Sequence, residues 1–124
     1  MSDYPSPTSF VNVLVFVKPS TDPIRKFDVV TTPATPVITE KDTIINYQIF
    51  DSGDDDIVFT GADVLPLENN QLTKASVSLS GKSLMFSDAN TNTMGLNITL
   101  QFLNKSVQDG KFSHDPQIIN SPQT

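Results

Sequence analysis

The stretch Leu96-Asn97-Ile98-Thr99-Leu100-Gln101-Phe102 alternates strictly between apolar and polar residues for seven positions. Successive side chains of an extended strand point to opposite faces, so this pattern places the apolar residues on one face and the polar residues on the other. Residues 45–49 and 75–80 repeat the alternation. Three half-buried strands in a chain of 124 residues predict antiparallel sheets that pack face to face.

Turn-forming residues divide the rest of the chain into short β-branched segments spaced about ten residues apart. This spacing predicts an all-β, immunoglobulin-like antiparallel β-sandwich of about seven to eight strands. A single domain is expected over residues 10–124, behind a flexible N-terminal arm at residues 1–9. The predicted strand segments are residues 10–17, 27–31, 37–39, 43–50, 57–60, 72–79, 83–86, 96–103 and 111–119. Residues 88–95, rich in Asn and Thr, are predicted to form a polar loop.

Local composition also predicts particular turns and packing. Ser80-Gly81-Lys82 favours a tight hairpin in which glycine supplies a positive φ. The first predicted strand is apolar on both faces after Asn12, which is typical of a strand covered on both sides or packed on another subunit. The eight phenylalanines are spread about one per strand, which predicts that they form layers of the core.

Charge and composition exclude several classes of function. The chain carries a net charge of −6 with only eight Lys and Arg residues, so nucleic acid is excluded as a partner and an anionic membrane surface is disfavoured. The run Val13-Leu14-Val15-Phe16-Val17 is far shorter than the roughly 20 residues of a membrane span. There is no cysteine for a disulfide or a thiolate site. The acidic, proline-containing start is unlike a signal peptide, so a cytoplasmic location is expected.

The strongest loop signal is Asp51-Ser52-Gly53-Asp54-Asp55-Asp56, which places four carboxylates within six residues between two predicted strands. Such a stretch is typical of a solvated hairpin tip. Calcium also takes carboxylate oxygens as ligands, so Asp51, Asp54, Asp55 and Asp56 form a candidate calcium site, although their spacing is not that of an EF-hand. No other cofactor is predicted.

The single histidine offers no catalytic set. His114 is followed directly by Asp115, and neighbouring strand residues point to opposite faces, so this carboxylate is poorly placed to orient the imidazole. The sequence contains no Gly-x-Ser-x-Gly turn to present a nucleophile. We therefore expect a non-enzymatic binding or self-assembly module whose partner is a protein, including a second copy of itself. The alternative is a calcium- or small-ligand-binding module that uses the acidic loop.

Around Asp115-Pro116 a structural role is expected. Proline removes a donor from the strand ladder, and the Asp115 carboxylate can accept from nearby backbone N–H groups. Ile118 and Ile119 are then expected to close the sandwich as an edge strand.

This C-terminal segment resembles the end of the small bacterial DP-EP family, which takes its name from Asp-Pro and Glu-Pro dipeptides. Asp115-Pro116 matches the first dipeptide, whereas Ser121-Pro122 lacks the glutamate of the second. The pattern Phe112-Ser113-His114-Asp115-Pro116-Gln117-Ile118 is also similar to the ending of the PixA/AidA-type bacterial inclusion-body proteins. The resemblance implies a bacterial β-sandwich without known catalytic residues.

Overall fold

The computed structural model describes residues 8–20 and 27–122, which form strands, turns and irregular segments. The predicted arm falls almost wholly outside this part of the chain, although the carbonyl of Ser9 already accepts a hydrogen bond of 2.9 Å from the backbone N–H of Ile44. The described strands are β1 (Phe10–Pro19), β2 (Phe27–Thr32), β3 (Val37–Ile38), β4 (Thr43–Asp51), β5 (Ile57–Leu65), β6 (Ser76–Val77), β7 (Ser83–Asp88), β8 (Met94–Asn104), β9 (Lys111–His114) and β10 (Gln117–Asn120).

Two five-stranded sheets make up the fold. The first sheet has the strand order β2-β1-β4-β7-β6, and the second has the order β3-β10-β8-β5 with β9 also paired to β8. The prediction of an all-β sandwich is confirmed. Ten strands are described, against the seven to eight expected; this number includes the two-residue strands β3 and β6, and the last predicted segment is split into β9 and β10. No helix among residues 8–20 and 27–122 has the length and apolar character needed to cross a membrane.

The sheets are mixed rather than purely antiparallel. β1 pairs with β4 in parallel, and β10 pairs with β3 in parallel. After the β1–β2 hairpin the chain crosses to the second sheet through β3, and it then returns beside β1 to form β4 in the same direction. A pattern of local alternation contains no information about this long-range choice of neighbour.

The core lies between the two sheets, and the alternating stretch in β8 supplies much of it. Leu96, Ile98, Leu100 and Phe102 are all no more than 1% exposed, whereas Asn97 between them faces solvent. Full burial of each such side chain contributes about 1.5–3 kcal/mol. The prediction for this strand is confirmed. The remaining fully buried apolar side chains include Val13, Val15, Ile38, Ile45, Tyr47, Ile57, Leu84 and Ile118.

The alternation at residues 75–80 does not indicate a half-buried strand, and this prediction is wrong. Only Ser76–Val77 forms a strand, Val77 is exposed, and the side chain of Leu79 is fully in solvent. β6 is the terminal strand of its sheet and pairs with β7 for only two residues, and its apolar side chain Val77 stays exposed.

The turn that follows β6 matches its prediction. β6 and β7 are antiparallel, and Gly81 has a φ of +77°. Gly81 is also buried against Val58 of the second sheet, so this hairpin helps to hold the two sheets together.

The acidic stretch is not a hairpin tip, because β4 belongs to the first sheet and β5 to the second. Residues 52–56 instead cross from one sheet to the other at one end of the sandwich. The expectation that the loop joins paired strands is therefore incorrect.

Asp115 and Pro116 divide the last extended segment. β9 pairs with Leu100–Leu103 of β8, and β10 pairs with Met94–Asn97 along the same edge. Pro116 is buried between the two halves. Ile118 closes the core as expected, but β10 is not an edge strand, because β3 pairs with its outer side.

Candidate functional site

Local hydrogen bonds hold the acidic loop, and one of its carboxylates accepts from a backbone N–H group. Asp51 Oδ1 accepts a hydrogen bond of 2.9 Å from the Gly53 N–H, and Ser52 Oγ donates to the carbonyl of Asp55 at 2.8 Å. Asp54 is exposed at the tip. These contacts fix a compact loop in which the predicted ligands do not share a centre.

Lys82, on the β6–β7 hairpin, supplies a cation to this loop. Its Nζ lies 3.0 Å from Asp56 Oδ1 and 2.6 Å from the carbonyl oxygen of Ile57. The hydrogen bond and the positive charge of Lys82 lower the pKa of Asp56. In the part of the chain that the structure describes, no three acidic or histidine side chains converge to hold a metal ion. Calcium binding by Asp51, Asp54, Asp55 and Asp56 stays a prediction that this geometry does not favour.

The histidine lies at the lateral opening of the sandwich, where β2 of one sheet passes over β9 of the other. The rings of Phe27 and Phe112 are 4.6 Å apart and join these two edges, and Phe112 stacks on Phe102 at 4.9 Å. Beside them a cleft of about 700 Å³ is lined by β2 residues and by Ser113, His114 and Asp115.

Ser113, His114 and Asp115 all border this cleft, but they do not form a catalytic set. His114 faces inward and is half-buried, whereas Ser113 and Asp115 are exposed on the opposite face, as the strand alternation predicts. Burial lowers the pKa of His114, and the charge of Asp115 opposes that effect. The Asp115 carboxylate makes no hydrogen bond to a described residue, so its expected role in capping backbone N–H groups is not supported.

The outer side of the first sheet carries a partly exposed apolar cluster that we call the outer apolar face. It consists of Leu14, Phe16, Val30 and Phe50, whose side chains point away from the core residues that alternate with them. The rings of Phe16 and Phe50 meet edge to face at 5.5 Å, and Val30 lies directly opposite Phe16. Phe50 is 62% exposed and Val30 is 54% exposed. The expectation that every phenylalanine belongs to the core is therefore wrong.

A row of uncharged amides borders the outer apolar face. Asn46 Nδ2 donates to Asn12 Oδ1 at 2.9 Å, and Asn12 Nδ2 lies 3.5 Å from Gln48 Oε1. Charged side chains of the same strands are confined to one end, where Lys18 lies opposite Asp28 and β4 ends at Asp51. The apolar strand β1 predicted this surface, but the contribution of Phe50 depends on the parallel pairing and could not be anticipated.

Comparison with known proteins identifies the family to which this chain belongs. A search of curated proteins finds no match to this chain. The family model described as the DP-EP family matches residues 9–122, which extend from the residue before β1 to the proline after β10. The Asp115-Pro116 dipeptide lies within that match, between β9 and β10. Because the match covers nearly the whole chain, the protein belongs to the DP-EP family.

Proposed function

We propose that this protein is a non-enzymatic self-association module, and that two copies pack their outer apolar faces together. The observation that carries the proposal is the contact between half-buried Phe16 and exposed Phe50 on a sheet face that has no charge at its centre. Large apolar side chains grouped on a surface are typical of protein interfaces. Aromatic residues are enriched and charged residues are depleted at the centre of such interfaces.

Charge favours this face over the rest of the surface. Each molecule carries a net charge of −6, so two copies repel one another over most orientations. Packing through Leu14, Phe16, Val30 and Phe50 opposes no like charges at the centre of the contact. At the rim, Lys18 and Asp28 supply one charge of each sign, and Asp51 at the end of β4 adds a further negative charge.

The amide row supports a second copy as the partner. Asn12, Asn46 and Gln48 each carry both a donor and an acceptor, so the row is complementary to itself when related by a two-fold axis. Asn46 is 8% exposed, and its Oδ1 has no hydrogen-bond partner within the described chain. Because this oxygen is buried, the exposed Asn12 amide and the half-buried Gln48 amide are the groups of the row that a second copy can reach.

The test is sedimentation velocity across a concentration series. We expect the wild-type protein to dimerise and the double variant Phe16→Ser/Phe50→Ser to dimerise at least about tenfold more weakly, because the aromatic anchors are lost. Leu79→Ser is the control, since it removes an even more exposed apolar side chain that lies off this face. A wild-type protein that is monomeric at every concentration would overturn the proposal, and so would equal effects of the two sets of substitutions.

A further inference from the structure

A cluster of buried polar side chains lies at the end of the sandwich opposite the acidic loop. Asp88 ends β7, Asn120 ends β10, and Asn90 lies in the loop between β7 and β8. All three side chains are 0% exposed. The polar loop predicted at residues 88–95 is shorter in the structure, because β7 ends at Asp88 and β8 begins at Met94.

Hydrogen bonds hold the three residues together. Asp88 Oδ1 accepts from the backbone N–H of Asn90 and from Asn120 Nδ2, both at 2.9 Å. Asn90 Nδ2 donates to the carbonyls of Ile38 at 3.0 Å and Glu40 at 3.2 Å. Ile38 is the β3 partner of Asn120, so the Asn90 amide lies next to the end of β10.

Three oxygens in this cluster have no donor. Asp88 Oδ2, Asn90 Oδ1 and Asn120 Oδ1 are buried and unpartnered in the described chain. The two amides cannot exchange their nitrogen and oxygen to correct this. Reversal of Asn120 would set its oxygen against the Asp88 carboxylate, and reversal of Asn90 would set its oxygen against two carbonyls. Burial of unpaired acceptors is unfavourable, so a donor or a cation that reached these oxygens would stabilise the folded state.

The charge of the cluster is also uncompensated. Asp88 makes no ion pair with any residue that the structure describes, and the Lys82–Asp56 pair lies at the other end of the molecule. The titratable side chains of the flanking segments face solvent: Glu40, Lys41, Asp42, Glu68 and Lys74. Burial raises the pKa of Asp88, and the hydrogen bonds from Asn120 and Asn90 partly offset that effect. A positive charge inside the cluster would remove this penalty.

We propose that Asp88 Oδ2, Asn90 Oδ1 and Asn120 Oδ1 bind one monovalent alkali cation, represented by sodium. Carboxylate and amide oxygens are hard ligands, which suit alkali and alkaline-earth ions better than zinc or copper. One carboxylate neutralises one positive charge, whereas calcium takes six to eight oxygens and magnesium retains several waters. A proton on Asp88 competes with the cation for the same charge.

The experiment compares thermal unfolding in sodium chloride and in choline chloride at equal ionic strength and neutral pH, since choline is too large to enter. At a sodium concentration about ten times the dissociation constant, we expect the melting temperature to be higher by about 5 °C. The difference should disappear in Asp88→Asn, which keeps the shape and removes the charge. Asp63→Asn is the matched control, because that carboxylate is exposed on the outer face of the second sheet.

Two outcomes of this comparison would overturn the proposal. Equal melting temperatures of the wild-type protein in the two salts would mean that water or a proton alone occupies the cluster. A sodium effect that persists in Asp88→Asn would place the cation elsewhere. If Asp88→Asn does not fold, the wild-type protein is tested at decreasing pH, where the sodium effect should fade as Asp88 becomes protonated, and a constant effect would overturn the proposal.

Discussion

Lys82 and Asp56 are 26 residues apart in sequence, and their ion pair of 3.0 Å connects the β6–β7 hairpin to the crossing between the two sheets. The same ammonium group donates to the carbonyl of Ile57, the first residue of β5. Lys82 thus stabilises the acidic loop and the start of β5. Its contact with the loop could not be predicted from the sequence.

We expect Lys82→Met to raise the pKa of Asp56 toward its ordinary value of 3.8, because the hydrogen bond and the nearby charge are both lost. The measurement is an NMR titration of the Asp56 carboxyl. Lys105→Met is the control, since the charge of Lys105 lowers the pKa of Asp56 less than Lys82 does and its loss should change that pKa less. Equal effects of the two substitutions would show that the direct contact is unimportant.

Millimolar calcium is expected to leave the melting temperature unchanged, because the loop carboxylates do not converge and Lys82 occupies one of them. Differential scanning calorimetry with and without calcium at fixed ionic strength makes the measurement. A calcium-dependent increase that is lost in the double variant Asp54→Asn/Asp55→Asn would contradict this expectation and restore the loop as a calcium site.

Because Gly81 lies close to Val58, a methyl group added at Gly81 should lower the free energy of unfolding strongly. A Cβ at Gly81 would lie 2.7 Å from Val58 Cβ, and the residue has a positive φ. Gly53 also has a positive φ, but open space surrounds it. We expect Gly53→Ala to lower the free energy of unfolding by about 1 kcal/mol through backbone strain. Gly81→Ala should lower it by about 3 kcal/mol because overpacking is added.

Urea denaturation of both glycine variants separates the two effects. Similar losses of stability would show that Val58 moves aside without penalty, and that the hairpin does not pack closely against the second sheet.

These cases indicate how far the sequence could predict the fold and the sites. Period-two alternation is a local property, so it correctly assigned the two faces of Leu96–Phe102 and placed His114 opposite Asp115. The same pattern failed at Val77, because burial depends on whether another sheet lies above a strand. The Phe16–Phe50 contact and the cluster around Asp88 each join residues more than 30 positions apart in sequence, through pairings that no local pattern specifies.

His114 should make stability depend on pH. Burial lowers its pKa below the ordinary 6.5, so in the interval between the two values the unfolded chain binds a proton that the folded chain does not. The free energy of unfolding therefore falls as the pH decreases through 6.5 toward the pKa of the folded state. We expect His114→Gln to abolish this part of the pH dependence in chemical denaturation at a series of pH values.

Asp115→Asn provides the companion measurement, because the carboxylate favours the protonated imidazole. Its loss should lower the NMR-determined pKa of His114 further. An unchanged or increased pKa would show that the two side chains do not interact across the strand.

Tyr47 lies at the centre of the core with its hydroxyl group buried and without a hydrogen-bond partner in the described chain. Burial raises the pKa of this phenol far above its ordinary value of 10.0. An unsatisfied polar group in a core is unfavourable, so Tyr47→Phe should increase the free energy of unfolding by about 1 kcal/mol. Thr43→Val is the control, because it removes a buried hydroxyl that donates to the carbonyl of Glu40 at 2.7 Å and should reduce stability by about 1 kcal/mol. If chemical denaturation finds both variants destabilised, the Tyr47 hydroxyl must have a partner such as a buried water.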